Sequence, residues 1–208
     1  MLVTKRSTIS FGMGLVVLLA LISTARANET NTAAFQLATY KEPLLGRDPV
    51  TRASLTCGNK RFTFLVPNGY RVDASDPEKV VLTSGDFHSY ITLRAANLTC
   101  GDKTPQETEC RAKLLEKYPE AKIMEEFTSA AGSFTGPGFD LRSKSKGGAT
   151  TAARVAYIPG LSGALEFSLI TSPEQFGNSL SQLHSVMLTF RASEVGGQIE
   201  VAALSDRL

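Results

Sequence analysis

The sequence predicts an α+β fold: a mainly antiparallel sheet of six or seven strands, with two main helices laid across its faces. Three observations lead there. Short β-rich segments outnumber helical ones, turn-forming Gly, Pro and Asn clusters separate them at hairpin spacing, and two stretches carry the three-and-four spacing of an amphipathic helix. Strands joined by short turns pair antiparallel, and helices set between such runs cover the sheet.

A leader precedes these elements. Lys5 and Arg6 make a positive start, Phe11 to Ile22 is an apolar run of twelve residues, and Ala25-Arg26-Ala27 is a small-x-small cleavage signal. As a helix that run covers roughly 18 Å, short of the roughly 30 Å hydrocarbon core. A secretory signal peptide over residues 1–27, cleaved after Ala27, is therefore expected, and with it a secreted or periplasmic location. Asn28 stands where a lipoprotein would have Cys. The whole chain has 22 Lys and Arg against 20 Asp and Glu; losing Lys5, Arg6 and Arg26 leaves 19 against 20 in a mature chain of 181 residues. A near-neutral chain of that size supports one core and gives no general electrostatic case for nucleic acid or an anionic membrane. No later apolar run approaches spanning length, so no stable membrane span is expected once the leader is gone.

Residues 28–50 are polar and aperiodic, with Pro43 and Pro49, and read as an irregular arm or linker ahead of a single domain over 51–192. Arg61 to Val66 alternates, placing Phe62, Phe64 and Val66 on one side, and stops at the turn formers Pro67-Asn68-Gly69. Tyr70 to Asp73 is a short extension. Lys79–Thr83 and Ser89–Ala95 flank Ser84-Gly85-Asp86 as a hairpin. Thr104 reads as an N-cap with Pro105 at the first helical position and Glu107 three residues on, opening a helix to Tyr118 that sets Cys110, Leu114 and Tyr118 on one face, with Leu115 beside them, and ends at Pro119. Four strands follow, Lys122–Ser129, Gly138–Ser145, Thr150–Ile158 and Gly163–Thr171, punctuated by Gly147-Gly148 and Pro159-Gly160. A closing helix from Pro173, capped by Thr171 or Ser172, carries Phe176, Leu180, Leu183, Met187 and Phe190 as a stripe that packs on the sheet. Residues 193–208 read as a loose tail in which Ile199 to Leu204 could dock as a strand.

Cys57, Cys100 and Cys110 all lie beyond the leader, where an oxidising compartment favours one disulfide and one spare thiol. Cys100–Cys110 closes a short loop worth roughly 3 kcal/mol, and Cys57–Cys100 a longer one worth about 4. Energy does not separate them. Cys57 and Cys100 occupy nearly the same heptapeptide, Ser54 to Lys60 and Asn97 to Lys103, each a strand end running into a turn. Nearness in chain of a strand end and the next helix favours Cys100–Cys110, with the other pairing open.

The segment Phe62 to Tyr70, with its aromatic-x-aromatic strand and Pro-x-Gly-aromatic turn, resembles the PsbP-like superfamily, as does the closing helix from Phe176 into Leu188-Thr189-Phe190-Arg191. The resemblance covers about Lys60 to Ala192. Where relatives often carry Trp after the turn, this chain has Tyr70, which keeps an apolar body and a polar tip. The resemblance implies an α/β/α sandwich and a role in binding or assembly rather than catalysis. It names no partner.

Reactive constellations are sparse. There is no Gly-x-Ser-x-Gly elbow, phosphate-cradling loop or His-Glu-x-x-His. His88 reads as an exposed turn residue and His184 as a boundary residue of the closing helix. An unpaired Cys57 near His88 would be a nucleophile only with a lowered pKa, and Gly58-Asn59-Lys60-Arg61 brings charge no closer than many turns do. Three Cys and a His could hold zinc, yet no Cys-x-x-Cys pair exists, so neither metal nor cofactor is expected. Arg142, Lys144 and Lys146 alternate along a strand, so they share a face that Arg154 can join across the next turn. That is a candidate patch for an anion or acidic partner; the plainer reading is a charged strand that discourages edge pairing. The function expected is an exported, non-enzymatic binding or assembly module for another protein of the cell envelope or exterior. The alternative is a small secreted enzyme or thiol-redox protein using Cys57.

Overall fold

The computed structural model describes residues 35–98, 104–144, 148–160 and 163–195. The expected leader (residues 1–27), Cys100, Lys146 and the Ile199 to Leu204 segment lie outside the described residues.

Alternation first builds a four-stranded antiparallel sheet, β1-β2-β3-β11 in spatial order: β1 (Gln36–Leu44), β2 (Arg47–Cys57), β3 (Lys60–Leu65) and β11 (Arg191–Glu194). β2 turns Ala53, Leu55 and Cys57 inward and β3 turns Phe62 and Phe64 inward. Gly58, at φ 59°, makes the tight β2–β3 turn a side chain would strain. Much of the stretch expected as an irregular arm is thus paired strand. Its pairing was hidden because β1 lies at the sheet edge with nearly every residue exposed, so it carries no buried alternation. Pro43, which cannot donate to the ladder, falls at a register shift between Glu42 and Leu44.

The second sheet has seven antiparallel strands in the order β4-β5-β6-β10-β9-β8-β7. These are β4 (Arg71–Asp73), β5 (Lys79–Thr83), β6 (Ser89–Ala96), β7 (Lys122–Ala131), β8 (Phe134–Lys144), β9 (Thr150–Gly160) and β10 (Gly163–Thr171). Helix α1 (Glu107–Lys117) carries the chain from β6 to the far edge at β7, and β7 to β10 return as consecutive hairpins. β10, at the centre, is buried on both faces, so its pattern is a near-continuous apolar run.

On one face Leu93, Ala156, Leu165, Phe167 and Leu169 meet Phe62 and Phe64 of the small sheet and Leu183, Val186 and Met187 of α2 (Phe176–Leu188). Phe190 is central there, stacked on Phe62 at 5.5 Å and edge-on to Phe167 at 5.2 Å. On the other face Phe139, Leu141, Val155 and Tyr157 pack under Cys110 and Leu114 of α1. The α+β class, the seven-stranded antiparallel sheet and the two flanking helices agree with expectation; the four-stranded sheet extends the α2 layer.

Both helices start later than the cap signals suggested. Gln106 and Gln175 precede them without a side-chain cap bond. Thr104 and Pro105 stay outside α1, whose first turn instead sets Glu107 and Glu109 at the positive end of the helix dipole. Pro173 belongs to a turn closed by Gln175 N–H on Ser172 O, 3.2 Å. Among the described residues no helix is long and apolar enough to cross a membrane.

Candidate binding cleft

Glu166 is the single charged residue of β10 and has no exposed surface. Cross-strand register sets Arg94 of β6 on one side of it and Tyr157 of β9 on the other, all three on the α1 face. Lys117, in the last turn of α1, reaches down to the same carboxylate. Arg94 Nη2 donates to Glu166 Oε2 at 2.8 Å and Lys117 Nζ to Oε1 at 2.6 Å. A buried carboxylate is tolerated only with such partners. Both oxygens are engaged by cations, so Glu166 is placed to hold those two side chains at the surface.

Arg94 is opposed by burial, yet the hydrogen bond and charge of Glu166 outweigh it and hold the guanidinium above its ordinary pKa. Burial, then the Glu166 charge, pushes the Tyr157 phenol far above its usual range, so it remains a neutral donor. Tyr118 stands beside the triad with its ring 4.9 Å from Lys117 Nζ. Its hydroxyl and Arg94 Nε are buried without a hydrogen-bond partner. Above the triad opens a cleft of about 380 Å³, edged by Glu78, Asn97, Lys113 and Glu116, with Lys113 and Glu116 paired at 3.2 Å. α1 packs over β8 and β9, and β6 beyond it carries the half-exposed Arg94 and the exposed Tyr90 on this same side.

The residues singled out from sequence lie elsewhere. Arg142 and Arg154 do share a face, but it is the face of α2. Arg154 is clamped on Asp140 by two bonds of 2.6 and 2.7 Å, lies 4.3 Å from the Phe127 ring and donates from Nη1 to His184 Nε2 at 3.2 Å. Arg142 rests 5.4 Å from the Phe176 ring, and Lys144 is exposed near the end of β8. Asp140 therefore neutralises one of the cations the alternating pattern gathers. His88 is on an exposed turn, its N–H bonded to Asp86 Oδ1 at 3.1 Å. His184 is on α2 with its pKa lowered by burial and by Arg154. Cys57 is a free thiol in the apolar core, 1% exposed, and burial raises its pKa. Cys110 is buried on the sheet-facing side of α1, and its expected partner Cys100 lies outside the described residues. Among the described residues no three His, Cys, Asp or Glu side chains gather as metal ligands.

No protein-family model matches the chain, and no curated protein matches it. Among solved structures, the chain is similar to the solution structure of cyanobacterial PsbP (CyanoP) from Synechocystis sp. PCC 6803. The TM-score is 0.47 at 15% identity, over 77% of this chain and 94% of that one. The likeness is one of fold. A crystal structure from Bacteroides thetaiotaomicron gives a TM-score of 0.40 at 14% identity, over 67% of this chain and 50% of that one. No residue role is carried over from either structure.

The cleft went unread in the sequence because Arg94, Lys117 and Glu166 are far apart in chain. One signal was present: a lone Glu in the apolar run Gly163–Thr171 is a charge that demands partners.

Proposed function

We propose that the protein is an exported, non-enzymatic binding or assembly module that docks another protein of the cell envelope or exterior at the Arg94–Glu166–Lys117 cleft. The carrying observation is the buried Glu166 carboxylate fixing two cationic side chains at the edge of an open surface. That arrangement fixes recognition groups in advance, which lowers the ordering cost of association. Export rests on the leader pattern of residues 1–27. The thiol reading draws no support from a Cys57 that is buried and held in the thiol form.

A photo-crosslinking residue placed at Asn97, on the cleft edge, is expected to trap a discrete partner in the native envelope, while one at Asp48 on the exposed start of β2 traps none. Equal trapping from both positions, or trapping from Asp48 alone, would move the docking surface away from the cleft.

A further inference from the structure

On the α2 face, away from the charged cleft, two turns meet the start of α2. The Pro67–Tyr70 turn closes with Tyr70 N–H on Pro67 O at 3.1 Å, and the β5–β6 turn with Ser84 N–H on Ser89 O at 3.0 Å. Between them and the helix is an open cavity of about 360 Å³. Its lining is polar and nearly uncharged: Asn68, Tyr70, Asp86, Gln175, Asn178 and Gln182 face it, and no Lys or Arg lines it. Gln175, Asn178 and Gln182 follow one another by three and four residues, so α2 presents its carboxamides along one side. The floor is a chain of buried hydroxyls. Ser89 Oγ lies 2.5 Å from Ser179 Oγ and 3.0 Å from Thr171 Oγ1, and Thr171 donates to His88 O. Such a network is rigid when satisfied.

We propose that this cavity is a binding site for a neutral polyhydroxylated ligand, a saccharide ring. A carboxamide offers a donor and an acceptor side by side in one plane, the pattern that adjacent sugar hydroxyls complement. Asp86 supplies a carboxylate acceptor held by Ser84 Oγ at 2.5 Å and the His88 N–H, and its charge disfavours an anion. A peptide would need apolar side-chain pockets, whereas the lining holds no aliphatic side chain. The residue after Asp86 is also unusual. Phe87 is 58% exposed at φ 61°, a backbone region that disfavours a bulky side chain. Backbone strain at an exposed aromatic next in chain to Asp86 is of the kind that clusters at functional sites.

The test uses the nitrogen-15-labelled mature chain. Glucose, galactose, mannose and N-acetylglucosamine, with their β-linked disaccharides, are titrated to about 100 mM, which reaches weak dissociation constants of roughly 10 mM. Saturable shifts of the Asn68, Gln175, Asn178 and Gln182 side-chain amides with at least one sugar are expected. The exposed substitution Asn178→Ala should weaken that sugar by about tenfold, the effect of one net hydrogen bond, while Ser181→Ala should not. Absence of saturable shifts with every sugar would overturn the proposal. So would a response of these amides only to ethanolamine or to triglycine, which would make the site one for a cation or a peptide.

Discussion

Glu166 concentrates the energetic risk of this fold in one side chain. Replacing it with Gln leaves Arg94 and Lys117 around a neutral amide, while Lys117→Ala leaves the carboxylate bonded to Arg94. Breaking a sealed pair costs about 3–5 kcal/mol, but here the cations are roughly a third exposed and can turn to water. Glu166→Gln is therefore expected to lose about 2–3 kcal/mol in urea unfolding and Lys117→Ala about 1. Equal losses would mean that Glu166 is not the shared anchor. His184 adds a pH dependence. Burial and the Arg154 guanidinium lower its pKa from the ordinary 6.5, partly opposed by Asp140. Between that lowered value and 6.5 the unfolded chain binds more protons, so stability is full above pH 6.5 and falls as pH drops through the folded pKa. Thermal melts from pH 7.5 downward should show this loss beginning below about 6.5, and His184→Gln should flatten that part of the curve.

At the scale of elements, β8 and β9 approach too closely for an extra atom at one point. A methyl group on Gly136 would run into the Tyr157 carbonyl oxygen, which is backbone and cannot step aside. Gly136→Ala is expected to cost about 3 kcal/mol, the upper end of overpacking, read as a lowered midpoint in urea. An unchanged midpoint would show that the hairpin relaxes there. Elements with a buried side were legible in the sequence for a physical reason. β3 announces itself through Phe62 and Phe64, and α2 through Leu183 and Met187, because burial imposes a period. β1 has almost no buried side and gave no period, so only pairing with β2 reveals it. The cap signals at Thr104 and Ser172 misplaced the helix starts because Pro105 stays outside α1 and Pro173 belongs to a turn ahead of α2. Parity along β8 and β9 says nothing of Asp140, which lies opposite Arg154 in register and takes it up. Likewise no local pattern can join Arg94 to Glu166, whose contact is made by strand order.

For the whole molecule, the proposal is of an exported domain whose rigid sheets present fixed polar groups to a partner. Its first consequence is a processed chain. Envelope-fraction protein should begin at Asn28, as intact mass and N-terminal sequencing would show; an N-terminus at Met1 would mean retention of the leader. Docking at the cleft is measured most directly by partner capture in cells with the Asn97 photo-crosslinker, with and without Lys113→Glu. Lys113 is exposed on α1, so reversing its charge alters the cleft edge and leaves the core intact. The account predicts that Lys113→Glu reduces the crosslinked product by about tenfold, the scale of a lost charged contact, with unchanged protein level. An undiminished product would contradict docking at the cleft.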